Sequence, residues 1–242
     1  MNGCLLVHGL TGTPATTVSM RDALLRAGYC VSVPCLAGHG LSADELAAST
    51  WRDWYETVRV AFAELRRDAE RVYFAGISLG ALLGLKLAIE EGWGVRAMAL
   101  MATPLRLGRL EGIAVPLVRY TPLRWIVKSI SKDFERSVAD PEGRQRYEEL
   151  SLPAIPASAV FQIADLQKEV LRDLSRITSP LLLLHGTHDA VSPPANVELV
   201  KKGVSSDIVE FVALSKSRHV LTMDYDKEVV AQAAVDFFGR FA

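Results

Sequence analysis

An α/β fold with a mostly parallel, doubly wound sheet is the expectation from this sequence, on two counts. First, six short apolar runs alternate with segments of helical periodicity. Second, the runs are apolar almost throughout instead of alternating with polar residues, which suits strands buried on both faces by helices. Strand–helix alternation then implies right-handed crossovers. About six to seven strands are expected.

The elements follow in order. Cys4–Val7 is the first strand, leading into His8-Gly9. Val18–Ala27 has helical spacing and stops at Gly28, a residue suited to a left-handed cap. Tyr29–Pro34 is a β-branched run. Ser49 or Thr50 can cap a helix running to about Arg67. Val72–Gly76 reads as a strand and Leu79–Glu91 as a helix. Val95–Met101, Leu181–His185 and Ile208–Leu214 complete the strands, with helices near Ala195–Lys202 and Glu228–Phe241. Between about Pro104 and Ser179 no strand is obvious. Helical stretches there include Leu123–Ser131, Glu142–Leu150 and Ala157–Arg176. The chain therefore divides into an α/β core, residues 1–103 and 180–242, and an inserted helical cap, residues 104–179.

Composition narrows the function classes. The 242 residues are 50% hydrophobic and 23% charged, enough for a sizeable core and too apolar for a disordered chain. Basic and acidic residues number 27 and 28, a net charge of −1, without the Lys/Arg excess that sequence-independent nucleic-acid binding needs. Three cysteines, Cys4, Cys30 and Cys35, are no disulfide framework and read as small core residues. No apolar run approaches a membrane span, and no signal segment is visible, so a cytoplasmic protein without a stable membrane anchor is expected. A monomer or homodimer is expected.

The chemistry is carried by Gly76-Ile77-Ser78-Leu79-Gly80. It sits between a strand and a helix, the setting of a nucleophile elbow. The turn is so sharp that only small residues fit around the serine, and it projects the hydroxyl at the positive end of a helix. A serine hydroxyl needs a base, and the base an orienting acid. His219 is the histidine that follows the last strand. Asp189, four residues beyond the penultimate strand, is the best-placed acid, because active-site groups of parallel sheets gather at strand C-termini. Its rivals are Asp207, at the wrong end of a strand, and Asp224 and Asp226, which read better as charges at a helix N-terminus. An oxyanion hole needs two backbone N–H groups; Leu79 and Leu10, in the loop His8–Gly12, are the expected donors. His185, His188 and Asp189 only loosely suggest a metal cluster, with no H-E-x-x-H helix beside them. Neither G-x-G-x-x-G nor a Walker motif is present, so no cofactor and no metal are expected.

Together, His8-Gly9-Leu10-Thr11-Gly12, Gly38-His39-Gly40, Gly76–Gly80, Asp189 and Ser217–Asp224 resemble the α/β-hydrolase superfamily, and more closely its bacterial carboxylesterase and monoacylglycerol lipase branch. The resemblance runs over nearly the whole chain. It implies an α/β-hydrolase fold, a small helical cap over the site, Ser78, Asp189 and His219 as the triad, and Leu10 and Leu79 as the oxyanion hole. The chain starts at the strand before the oxyanion loop, so a short first sheet edge is expected. A small-molecule acyl ester, of short to medium chain or a monoacylglycerol, is the implied substrate. Thioesterase, peptidase and carbon–carbon bond hydrolase use the same triad, and a non-catalytic ligand receptor is a further alternative. Leu110–Val127 could line an acyl pocket or pack the cap, and Arg119, Arg124 and Lys128 read as a solvated face.

Overall fold

The computed structural model describes all residues, 1–242. In chain order the elements are β1 (Asn2–Val7), α1 (Val18–Arg26), β2 (Cys30–Ser32), α2 (Ala43–Ala48), α3 (Trp51–Asp68), β3 (Arg71–Ile77), α4 (Leu79–Glu91) and β4 (Met98–Met101). Then come α5 (Arg109–Tyr120), β5 (Ser129–Ser131), α6 (Phe134–Ser137), α7 (Pro141–Glu149), β6 (Ala154–Pro156) and α8 (Ala157–Asp173). The chain closes with β7 (Leu181–Gly186), α9 (Ala195–Gly203), β8 (Val209–Leu214) and α10 (Lys227–Gly239).

Six strands form one sheet in the order β2-β1-β3-β4-β7-β8. Every neighbouring pair is parallel. Because side chains alternate between the two faces of a strand, an apolar run must feed two cores. One core joins Leu5, Val7, Val72, Phe74, Leu100 and Leu183 to helices α3, α4, α8 and α9. The other joins Cys4, Leu6, Tyr73, Ala75, Met101 and Leu184 to α1 and α10. The sheet is thus the middle layer of three. No helix is long and apolar enough to cross a membrane.

The strands and core helices fall where the sequence places them, with shifts of a residue or a few at their ends. Thr50, not Ser49, caps α3, through a reciprocal box with Asp53. The side chain of Ser49 instead accepts from Trp54 Nε1 at 2.8 Å. Of the cysteines, Cys4 is buried, Cys30 is half-buried and Cys35 is exposed, so burial of all three does not hold.

The segment between β4 and β7 departs more from the reading. The helix expected over 123–131 is absent. A 3-10 turn, Pro122–Trp125, leads into β5, which pairs antiparallel with β6. Pro122 starts that turn under a Thr121 side-chain cap, and the β-branched Ile126-Val127 that follow favour extended backbone. A helix that the sequence did not suggest, α5, holds Pro116 and Gly112 in its interior. Its Val115 is buried, while Leu110, Ile113, Leu117 and Tyr120 face solvent. The far half of α8 does not lie above the sheet's rim: Leu166 and Val170 enter the main core.

The Thr50 box fixes the entry of α3, whose Trp54, Val58 and Phe62 pack into the first core. Replacing Thr50 with Ala leaves the Asp53 N–H without its side-chain acceptor, and urea denaturation is expected to show a loss of about 1 kcal/mol with an unchanged m value.

Candidate active site

Strand β3 delivers Ser78 to the rim of the sheet. Its backbone there is φ 53°, ψ −117°, a region L-residues rarely occupy. The neighbouring glycines explain how the turn is possible. A Cβ on Gly76 would stand 2.6 Å from the carbonyl of Gly80, and one on Gly80 would run into the carbonyl oxygen of Val7. Both glycines are therefore imposed by the closeness of β1, β3 and the start of α4. Leu79 is the first residue of α4, so its N–H has no partner within the helix.

The structure brings Ser78, His219 and Asp189 into one hydrogen-bonded chain. The Ser78 hydroxyl donates to His219 Nε2 at 2.9 Å, and His219 Nδ1 donates to Asp189 Oδ2 at 2.8 Å. The carboxylate can only accept, which places the imidazole proton on Nδ1 and leaves Nε2 as the acceptor. Asp189 is buried, yet its carboxyl is held below the usual range. Burial by itself disfavours the charge; the His219 and His185 rings and the Ser192 N–H outweigh it. Its Oδ1 accepts from the N–H groups of Val191 and Ser192, both at 2.8 Å.

Two contributors were not identified from the sequence. His185, dismissed above as part of a weak metal pattern, places Nε2 at 3.1 Å from Asp189 Oδ2 and 2.9 Å from the Ser192 carbonyl. It fixes the acid in place. Asp224, read as a helix-terminal charge, is fully buried and sits before that helix. Its carboxylate accepts from the N–H groups of Ala139, Asp140, Arg218 and Tyr225 at 2.8–2.9 Å. One side chain thereby locks the loop carrying His219 to the segment between β4 and β7. Asp226 likewise serves that loop, accepting from Lys216 N–H and Ser217 hydroxyl. The third rival, Asp207, lies outside the arrangement, just before β8.

The loop after β1 is built by histidines as well as glycines. His8 is buried; its Nδ1 donates to the Gly9 carbonyl at 2.9 Å, and its Nε2 accepts from Leu36 N–H at 3.1 Å. Burial pushes its pKa down to about 3, so the ring is neutral. His39, from the G-H-G triplet, packs edge-on against both His8 and Trp54. Beyond Leu10, Thr11 adopts φ 63°. For a β-branched residue this is a strained conformation, costing of order 1–3 kcal/mol unless the surroundings impose it.

Ser78 and His219 open into a cavity of about 350 Å³. Its walls include Leu10, Val115, Val118, Ile155, Val160 and Phe161. A more polar part is formed by Lys132, Asp133, Arg136 and Ser137. Within 110–127, then, one face lines the cavity and the other is exposed. Arg119 does not belong to a solvated face: it makes a bidentate pair with Asp165 at 2.7 and 2.8 Å, tying α5 to α8. Arg124 and Lys128 flank the exposed Trp125 ring.

The model of a family described as serine aminopeptidase, S33, matches residues 2–226. A thermostable monoacylglycerol lipase from Bacillus sp. (strain H-257) is 30% identical over 99% of this chain and 91% of its own. A carboxylesterase from Bacillus subtilis (strain 168) is 24% identical over 98% of this chain and 92% of its own. The structure solved for two metagenome-derived lipolytic enzymes, LipS and LipT, superposes with a TM-score of 0.88 at 27% identity, covering 99% of this chain and 94% of the other.

Lys132 gives a measurable signature. Burial pushes its pKa down from 10.5 to about 7. Between those values the unfolded chain holds a proton that the folded chain has released. Its contribution to stability is therefore complete above about pH 10.5 and lost as pH falls through 7. Denaturation of wild type and Lys132→Met across pH 6–10.5 should show a rise with pH in the difference between them; parallel curves would contradict the burial of that amine.

Proposed function

The chain belongs to the α/β-hydrolase family described as serine aminopeptidase, S33, in its bacterial carboxylesterase and monoacylglycerol lipase branch, and from that premise we propose that it cleaves carboxylic esters of apolar acids through an acyl-enzyme on Ser78. The observation that carries the reading is the hydrogen-bonded chain from Ser78 through His219 to Asp189 at the mouth of an apolar cavity.

The reaction follows from who can hold which proton. As the Ser78 oxygen attacks the ester carbonyl, its proton passes to His219 Nε2. The imidazolium so formed faces the Asp189 carboxylate, which stabilises it without taking its proton. Negative charge gathers on the former carbonyl oxygen, and the N–H groups of Leu79 and Leu10 receive it. The C–O bond breaks as His219 returns the proton to the leaving alcohol. Water then attacks the acyl-enzyme by the same path, and the acid leaves. No cofactor enters any step.

The segment 104–179 acts as a cap whose α5 and α8 wall the acyl chain. The apolar side chains Val115, Val118, Val160 and Phe161 favour an uncharged acyl group. Arg136 and Ser137 form the polar part that receives the alcohol. Short- to medium-chain acyl esters or monoacylglycerols fit this division.

Two outcomes test the reading. Ser78→Ala is expected to lower kcat by about 10⁴-fold or more, and Asp189→Asn by about 10⁴-fold through loss of the correct imidazole tautomer, with KM little changed; near-native turnover in the Ser78 variant would refute the assignment. In a nitrophenyl-ester series, each methylene added within the cavity buries about 0.8 kcal/mol, so kcat/KM should climb about fourfold per carbon and then level off. A preference for amide or aminoacyl substrates instead would shift the reading toward a peptidase.

A further inference from the structure

Thr11 sits beside the proposed oxyanion donor Leu10 in a backbone conformation that β-branched residues avoid, φ 63°. Such a conformation persists only where its surroundings over-determine it. The loop itself supplies one turn contact, Gly12 N–H to the Gly9 carbonyl at 3.2 Å. The other restraints come from the segment between β4 and β7. Leu152 N–H donates to the Thr11 carbonyl at 3.1 Å, and Lys132 Nζ donates to the Thr11 hydroxyl at 2.8 Å.

Lys132 is itself fully engaged there. Its Nζ also donates to the Ser151 hydroxyl at 2.9 Å and lies 3.9 Å from the centre of the buried Tyr147 ring. Its backbone N–H binds the Pro153 carbonyl at 3.0 Å. Ser151 in turn donates to the Tyr147 carbonyl at 2.6 Å. No carboxylate pairs with this amine: its polar contacts are two hydroxyls and an aromatic face. Burying a lysine on such terms is costly, and the enzymatic steps above give its amine no role. A glycine at position 11 would take up φ 63° without strain, but it would offer Lys132 nothing to hold.

We propose that Lys132 is a positioning residue: from the β4–β7 segment it fixes Thr11 and, through Thr11, aims the Leu10 N–H at the oxygen that becomes charged over Ser78. The proposal rests on the assignment of Leu10 as an oxyanion donor. It makes the β4–β7 segment part of the rate-determining geometry as well as the wall of the acyl pocket. Interactions that matter only when the oxygen carries charge change kcat and leave KM alone, which separates this role from substrate contact by Lys132.

The test is a cycle of Lys132→Met, Thr11→Val and the double variant, with Thr11→Ser and Ser78→Ala alongside. Each is assayed on one nitrophenyl ester and for binding of a boronic acid, which forms a charged tetrahedral adduct with the serine. Lys132→Met and Thr11→Val should each lower kcat by about 10-fold with KM within about twofold, and weaken boronate binding by the same factor. The double variant should be no worse than either single one. Thr11→Ser, which keeps the hydroxyl, should stay within about twofold of wild type. A raised KM at unchanged kcat, or losses that multiply in the double variant, would overturn the proposal. Should Lys132→Met fail to fold, the contrast between Thr11→Val and Thr11→Ser decides it alone. If Ser78→Ala is inactive while Lys132→Met and Thr11→Val are fully active, only this proposal falls; if Ser78→Ala keeps its turnover, the site assignment falls with it.

Discussion

The close approach of β1, β3 and the first turn of α4 is the constraint from which the site follows. Val7 and Gly76 are register partners in the parallel ladder. The helix that follows must start at once, over the top of both strands, and the carbonyls of Val7 and His8 then leave no room for a Cβ on Gly80. The chain can make that turn only with Ser78 in an unfavourable conformation, φ 53°. The strain is held by burial: every residue of α4 from Leu79 to Leu85 is buried, and β3 is buried from Val72 to Ile77. What emerges at the strand's end is a hydroxyl on a backbone that cannot drift.

The other two members reach that hydroxyl because of strand order. Asp189 follows β7 and His219 follows β8, so both arrive from the same end of the parallel sheet as Ser78. Neither loop is left to chance. His185 and two backbone N–H groups hold the Asp189 carboxylate, and the buried Asp224 holds the His219 loop by four N–H donors. Gly186 has the same purpose: a side chain there would strike the carbonyls of Ser217 and Arg218. An imidazole placed this firmly needs little reorganisation when it becomes charged, which is the condition for electrostatic stabilisation to act on the transition state.

Most of the core was legible in the sequence because it is simple physics repeated. Doubly buried strands are continuous apolar runs, and Gly76–Gly80 is a sequence signature of a backbone problem. Ser78, His219 and Asp189 could be chosen by chain order and by position relative to strands. The roles of Asp224 and His185 could not, because they depend on contacts across 85 residues in one case and on a buried carboxylate in the other. The segment between β4 and β7 was the least legible. Pro116 and Gly112 interrupt the helical signal of α5, and β5 and β6 are three residues each, too short to show a period. The Ser42–Glu45 box at the start of α2 was a readable signal, and that helix went unread.

The central claim is that Ser78 is the nucleophile, activated by His219 and Asp189. Its most direct measurement is treatment of the folded protein with a fluorophosphonate, followed by mass mapping of the modified peptide. The expected result is a single stoichiometric adduct on Ser78, formed by the wild type and lost in a His219→Ala variant that still folds. An adduct on another residue, no adduct at all, or labelling undiminished without His219 would contradict it.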